Sequence, residues 1–269
     1  MPPSGRAVHI LRAKLYCMSG PERTVRLAAV GDVHCTRNAE TTLRPFFSEM
    51  GKAADVILLC GDLTDYGLPE EAHQLVQELT DCLHLPVLAV LGNHDYESGK
   101  QDDVRAILCE GGVTVLDGDS CVIHGIGFVG VKGFAGGFGD RCLEPWGEEA
   151  IKSFVREGVN EALKLEAALA RLQADTRVAV MHYSPIPDTI QGEPLEVYPF
   201  LGSRRLEEPL NRYHVSVVFH GHAHGGSPEG RTAEGIPVYN VAKPLLERCF
   251  PGSPGYRIVE MPAPAPVAV

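Results

Sequence analysis

The sequence predicts an α/β fold. Five apolar, β-rich runs at 25–30, 56–60, 87–91, 178–181 and 215–219 each give way to a short cluster of Asp, Asn or His, and helical stretches separate the first three. Apolar runs of this length bounded by turn residues read as strands. Strands that alternate with helices imply parallel neighbours joined by right-handed crossovers.

The elements follow in order. Strand 25–30 leads to a helix at 40–52, and strand 56–60 to a helix at 69–83, opened by Pro69. Proline suits a first helical turn because its φ is already helical and its missing N–H would have had no partner there. Strand 87–91 precedes a helix at 102–109. The middle differs: 113–116, 120–123 and 127–131 are short, with turn residues between them, and predict an antiparallel segment. Gly125, Gly127 and Gly130 spell GxGxxG there. A dinucleotide-binding loop must leave a strand and open a helix, whereas these glycines lie inside the alternating run 121–131, so they read as places of close backbone packing in a strand. A long helix is predicted over 148–172, with Ile151, Phe154, Val155, Val159, Ala162, Leu163 and Leu169 as its core-facing stripe. The glycine-rich stretch 134–145, holding Phe134 and Phe138 and followed by Trp146, is either a segment covering a site or a plain surface turn.

With 269 residues and 44% hydrophobic content, the chain is long enough for one α/β domain with a large core. That domain is expected over 25–260, with an N-terminal extension at 1–24 and a mobile Pro/Ala tail at 261–269. No apolar run has transmembrane length, and the first 20 residues lack the continuous apolar core of a signal peptide. Eight cysteines without a CxxC pair read as reduced thiols of a cytoplasmic protein. Cys35, beside His34, is read as a packing residue before a reactive one. A net charge of -11 argues against a nucleic-acid partner, which would need Lys and Arg to neutralise its phosphates. Arg204 and Arg205 are a mere pair on a solvated face.

The chemistry lies in the clusters GDVH at 31–34, GDLTD at 61–65, GNHD at 92–95, His182, and GHAH at 221–224. Taken singly, each also suits a strand-to-helix connection, since Asp and Asn are turn and capping residues. Taken together, they offer the oxygen and nitrogen donors that manganese, iron or zinc accept, with too little cysteine for a thiolate zinc site. His220 reads as strand-end packing, and His9, His73, His84, His124 and His214 default to surface or structural positions.

The ordered set D-x-H, G-D-x-x-D, G-N-H-[D/E], H and G-H-x-H resembles the calcineurin-like metallophosphoesterases over 27–241, and the GNHD form and compact length resemble their bacterial cyclic-nucleotide phosphodiesterase branch. The resemblance implies a four-layer sandwich of two mixed β-sheets flanked by helices, with a dinuclear metal centre at the strand ends. One divalent metal would be held by Asp32, His34, Asp62 and His224, and the second by Asp62, Asn93, His182 and His222. Asp62 would bridge them at the separation of about 3.5–4 Å usual in two-metal sites, where a shared solvent hydroxide attacks the phosphorus. His94 would assist the leaving oxygen, Asp95 would orient the His94 ring, and Asp65 would stand behind the ligands. Two divalent ions against two carboxylates leave a positive pocket suited to a phosphate ester. The implied activity is hydrolysis of a small phosphate ester, diester before monoester. The alternatives are a phosphomonoesterase or protein phosphatase, a nuclease, and a catalytically silent scaffold on the same fold; a nuclease should add a basic channel or capping domain, and neither is visible.

Overall fold

The computed structural model of the protein describes residues 23–37 and 42–263. Two mixed sheets lie face to face. The first has the order β11-β1-β2-β3-β4, built from β1 (Arg23–Val30), β2 (Val56–Cys60), β3 (Val87–Val90), β4 (Thr114–Val115) and β11 (Arg257–Ala263). The second has the order β5-β6-β7-β8-β10-β9, from β5 (Asp119–Ile123), β6 (Ile126–Val131), β7 (Arg177–Met181), β8 (Val217–His220), β9 (Glu229–Arg231) and β10 (Pro237–Asn240). The helices are α1 (Arg44–Ala53), α2 (Pro69–Glu78), α3 (Gln101–Glu110), α4 (Glu149–Arg171), α5 (Tyr198–Leu201), α6 (Arg204–Arg212) and α7 (Lys243–Cys249).

Side-chain alternation along each strand divides the core into three layers. Leu27, Leu58, Leu88 and Val90 face Phe128, Val178, Val180 and Phe219 between the sheets. On its other side the first sheet packs Ala28, Ile57 and Leu59 against Phe47, Met50, Leu75 and Leu108 of α1, α2 and α3. The second sheet packs Val129, Ala179 and Val218 against Leu165, Leu169, Leu206 and Leu210 of α4 and α6. The result is the four-layer α/β sandwich, and both sheet faces being covered explains why the strands read as unbroken apolar runs.

Several boundaries differ from the sequence expectation, each for a local reason. Helix α2 stops at Glu78 instead of 83, and the Thr80 hydroxyl bonds the Gln77 carbonyl at 2.8 Å, competing with continuation of the helix. The middle segment is not one antiparallel unit: β5 and β6 form a hairpin, but β4 joins the first sheet parallel to β3, and β6 is parallel to β7. Residues 261–263, expected in the tail, complete β11, which pairs antiparallel with β1 from Arg23↔Ala263 to Ala29↔Arg257. Pro262 is tolerated because β11 is an edge strand. Arg23 and Thr24 belong to β1, not to an extension, while residues 1–22 and 264–269 lie outside the described residues, as does the expected start of the first helix at 40. On α4, Val155, Leu165, Ala168 and Leu169 are buried, but Ile151 and Leu163 of the expected stripe are exposed. The glycines of the GxGxxG stretch lie in the β5–β6 turn and in β6. A Cβ on Gly130 would come within 2.6 Å of Leu116 and 2.8 Å of Val90 across the sheet interface, so glycine is needed there for close packing.

Candidate metal centre

The loops that leave β1, β2, β3, β7 and β8 meet at one end of the sandwich, and they carry all five clusters. Backbone hydrogen bonds fix their register. The Asp32 amide donates to the Gly61 carbonyl at 2.9 Å, the His34 amide to the Asp62 carbonyl at 3.1 Å, and the Gly221 amide to the His182 carbonyl at 3.1 Å. Asp32, His34, Asp62 and His222 all have positive φ, at 57°, 43°, 49° and 71°. Such backbone costs a non-glycine residue roughly 1–3 kcal/mol and persists where its surroundings over-determine it, commonly at functional sites.

Asp32, His34 and His224 form one group whose ligand atoms lie within 4.8 Å of one another, and Asp62, His182 and His222 form a second. In the first, both oxygens of buried Asp32 accept the His222 amide at 3.0 Å, and Oδ1 is 2.8 Å from His224 Nε2. That bond to Asp32 raises the His224 pKa against the effect of burial. In the second, Asp62 Oδ1 is 3.3 Å from His182 Nε2 and accepts the His94 amide at 2.9 Å, while Oδ2 is 3.9 Å from His34 Nε2 of the first group. The two oxygens of one carboxylate thus face histidines of different groups.

His182 is fully buried, with Nδ1 3.0 Å from the Cys60 carbonyl and Nε2 2.9 Å from Asn93 Oδ1. Nδ1 therefore carries the hydrogen of the neutral ring, and the Nε2 lone pair faces the oxygens of Asn93 and Asp62. Three lone pairs meeting in a largely buried pocket favour a proton or a cation between them. Without a metal the proton answers: burial opposes charge on His182, but Asp62 outweighs it and pushes the pKa up to about 9. Asp62, despite its own burial, is held well below the usual carboxylate range by His182. His222 goes the other way. Burial and the neighbouring His182 lower it to about 4, Nε2 meets the Phe200 carbonyl at 3.2 Å, and a neutral ring is left with Nδ1 available. Among the described residues His34 Nδ1 is a buried atom without a hydrogen-bond partner, with a carboxylate oxygen of Asp65 at 3.4 Å. Opposed lone pairs, an unpartnered imidazole nitrogen and an Asp/Asn/His donor set all fit divalent ions of the borderline class.

His94 opens a 3₁₀ turn (His94–Tyr96) and packs its ring edge-on against His34 at 4.5 Å. Its Nδ1 lies 2.7 Å from the Asp65 carbonyl and donates there, so Nδ1 is committed to the backbone. Asp95, expected to orient that ring, is used otherwise. Its fully buried carboxylate accepts the amides of Leu63 (3.2 Å), Thr64 (2.8 Å) and Gly92 (2.8 Å) and the Thr64 hydroxyl (2.5 Å), tying the GDLTD loop to the GNHD loop. Asp65 also joins His34 and His94 in a third group of possible ligands, but with His94 Nδ1 committed to a carbonyl it stands behind His34.

Other residues gave no signal in the sequence because they act from far along the chain. The Arg248 guanidinium on α7 donates to the carbonyls of His224 (2.7 Å) and Gly226 (3.3 Å), the Asn240 amide to Ala223 (2.8 Å), and the Glu193 carboxylate accepts the Gly225 amide, so the GHAH loop is held from three directions. Tyr183 stacks on His222 at 4.4 Å. His220 is structural: its nitrogens meet the Gly221 carbonyl and the Thr189 hydroxyl, both at 2.8 Å, and burial keeps it neutral with a pKa of about 3. Burial and the nearby Glu78 push the Cys35 thiol up to about 12, so it packs as a protonated thiol. The glycine-rich stretch backs α5, the Gly136 amide donating to Pro199 at 2.8 Å and the Gly137 amide to Gly202 at 2.9 Å.

Solved structures share this fold. The chain is similar to the phosphopantetheinyl hydrolase of Mycobacterium tuberculosis, at 16% identity and a TM-score of 0.61 over 87% of this chain and 95% of that one. It is similar to TT1561 of Thermus thermophilus, at 13% and 0.51 over 89% and 99%, and to GAP50, the anchor in the inner membrane complex of Plasmodium, at 11% and 0.53 over 89% and 81%. At these identities the likeness is one of fold. No curated protein matches the chain at significance. The family model for calcineurin-like phosphoesterases matches residues 25–226, which contain every candidate metal ligand, and the chain belongs to that family.

Proposed function

We propose that this phosphoesterase hydrolyses a small phosphodiester with two divalent ions, manganese, iron or zinc. Asp32, His34, Asp62 and His224 would hold one, and Asp62, Asn93, His182 and His222 the other. The observation that carries the reading is the stance of Asp62, one oxygen toward His182 and the other toward His34, as a carboxylate shared between two ions requires. Bound ions of this kind neutralise the phosphate and make water a nucleophile at neutral pH. The chain's own part is orientation and one proton. His182 is aimed by the Cys60 carbonyl, Asp32 is fixed by the His222 amide, and Asp62 by the His94 amide. With Nδ1 of His94 committed to Asp65, a proton passed to the leaving oxygen must ride on Nε2, which calls for the imidazolium form. The described cysteines are all free thiols, which supports a reducing, cytoplasmic setting. No helix among the described residues is long and apolar enough to cross a membrane.

The test joins metal content to turnover. Protein loaded with manganese is expected to hydrolyse aryl diesters and cyclic nucleotides faster than phosphomonoesters or DNA. Asp62→Ala should lose both ions and all activity. His94→Ala should keep the ions and lose about 10²–10⁴ in rate, least with good leaving groups. Two tightly bound ions with near-normal turnover in Asp62→Ala would overturn the assignment, and metal loss in His94→Ala would overturn the role of that ring.

A further inference from the structure

The short helix α5, whose backbone meets His222, also presents an apolar side chain to solvent. Phe200, whose carbonyl meets His222 Nε2 at 3.2 Å, is 55% exposed. Behind it the aromatic rings continue inward: Phe154 at 6.1 Å, Phe134 at 5.0 Å from Phe154, Tyr183 at 5.8 Å from Phe134, and His222 at 4.4 Å from Tyr183. Phe200 therefore adjoins the candidate ligand His222 through its own carbonyl, and its ring is linked to the same ligand through Phe154, Phe134 and Tyr183. Leu195 (75% exposed) and Val197 (37%) stand in the 3₁₀ turn Leu195–Val197 that leads directly into α5. Exposed apolar groups collected at a reaction centre mark a binding surface.

Charge narrows the occupant. Residues 186–202 carry Asp188, Glu193 and Glu196 and no Lys or Arg. The arginines next along, Arg204 and Arg205, are paired with Asp140 at 3.7 Å and Glu144 at 3.1 Å. An acidic segment without a free cation repels a second phosphate or a nucleic-acid backbone and offers apolar contact as its attraction.

We infer that Phe200, with Leu195 and Val197, forms a ledge that seats an uncharged aryl or alkyl arm of the substrate diester. This rests on the phosphodiesterase reading and narrows it to diesters with one apolar, non-ionic substituent.

Two substrates with the same leaving group separate the ideas: bis(4-nitrophenyl) phosphate and methyl 4-nitrophenyl phosphate, given to the manganese-loaded protein. The diaryl ester is expected to have a KM about tenfold lower, as burial of one ring warrants. Phe200→Ala should raise that KM about tenfold more than it raises the KM of the methyl ester, with kcat changing less than KM, and Phe200→Leu should recover most of the difference. The ring is exposed and the contact to His222 is through the backbone, so both variants keep the fold. Turnover of both esters with equal KM, or equal losses on both in Phe200→Ala, overturns the ledge and leaves the phosphodiesterase reading standing. Turnover of neither ester overturns that reading, and calorimetry with diphenyl and dimethyl phosphate then decides the ledge alone: equal binding of the two overturns it. A wild-type dimer that Phe200→Ala splits in sedimentation would give the face to a second copy and also overturn it.

Discussion

His182 shows how much of the centre rests on one side chain. With Nδ1 held by a carbonyl and Nε2 facing two oxygens, the ring favours taking up a proton when no cation is present. Folding raises its pKa from 6.5 to about 9, so the folded state binds that proton more tightly than the unfolded chain does. The resulting stability is whole below about pH 6.5 and is lost as pH rises through 9. Metal-free protein is therefore expected to show a falling Tm between those values, and manganese binding at pH 7 should release a proton, measurable by calorimetry in buffers of different ionisation enthalpy. A flat Tm and no proton release would contradict the geometry. That these candidate donors would converge was legible in the sequence, because each cluster follows an apolar strand and the five keep a fixed order. Orientation was not. Asp95 is adjacent to His94 in sequence, yet its carboxylate serves two amides and a hydroxyl of the GDLTD loop and one amide of its own loop, and the ring is aimed by the carbonyl of Asp65, 29 residues away.

Four of the five loops at the strand ends carry a glycine immediately before a candidate ligand: Gly31, Gly61, Gly92 and Gly221. These are spacers between loops. A Cβ on Gly61 would stand 2.5 Å from His182 Nδ1 and one on Gly31 3.0 Å from the Cys60 carbonyl, while on Gly92 and Gly221 it would overlap the carboxylates of Asp62 and Asp32. Gly92→Ala is accordingly expected to push Asp62 aside, lowering metal content and turnover while the far-ultraviolet dichroism stays that of the wild type. Full metal content in that variant would show that the loops have slack. The core-facing strands were legible from hydrophobic runs, and β2 has the extent the sequence assigned. What escaped was set by partners remote in the chain. β11 is a strand because Val259 and Met261 close the first sheet beside β1, and β4 lies parallel to β3 because Leu116 must reach the sheet interface.

Across the whole molecule the two sheets meet through a fully apolar layer, in which Leu58 is completely buried between β2 and the second sheet. Leu58→Ala should cost about 2–5 kcal/mol in urea unfolding, the range for a leucine cavity in a core that cannot collapse. A loss below about 1 kcal/mol would mean that the sheets close over the gap. The four layers themselves followed from the resemblance, since periodicity alone gives only the α/β class. The metal groups add something the apolar layer does not. Each draws on both sheets: Asp32 and His34 leave β1 while His224 follows β8, and Asp62 leaves β2 while His182 follows β7. Ions held there would act as rivets across the seam. Free-metal concentration would then set a mechanical property, the ease with which the two halves breathe apart, by the logarithmic law that governs any ligand of the folded state. Amide hydrogens at the strand ends should exchange faster in a chelator than in excess manganese, well before any helix on the outside of the sandwich begins to loosen.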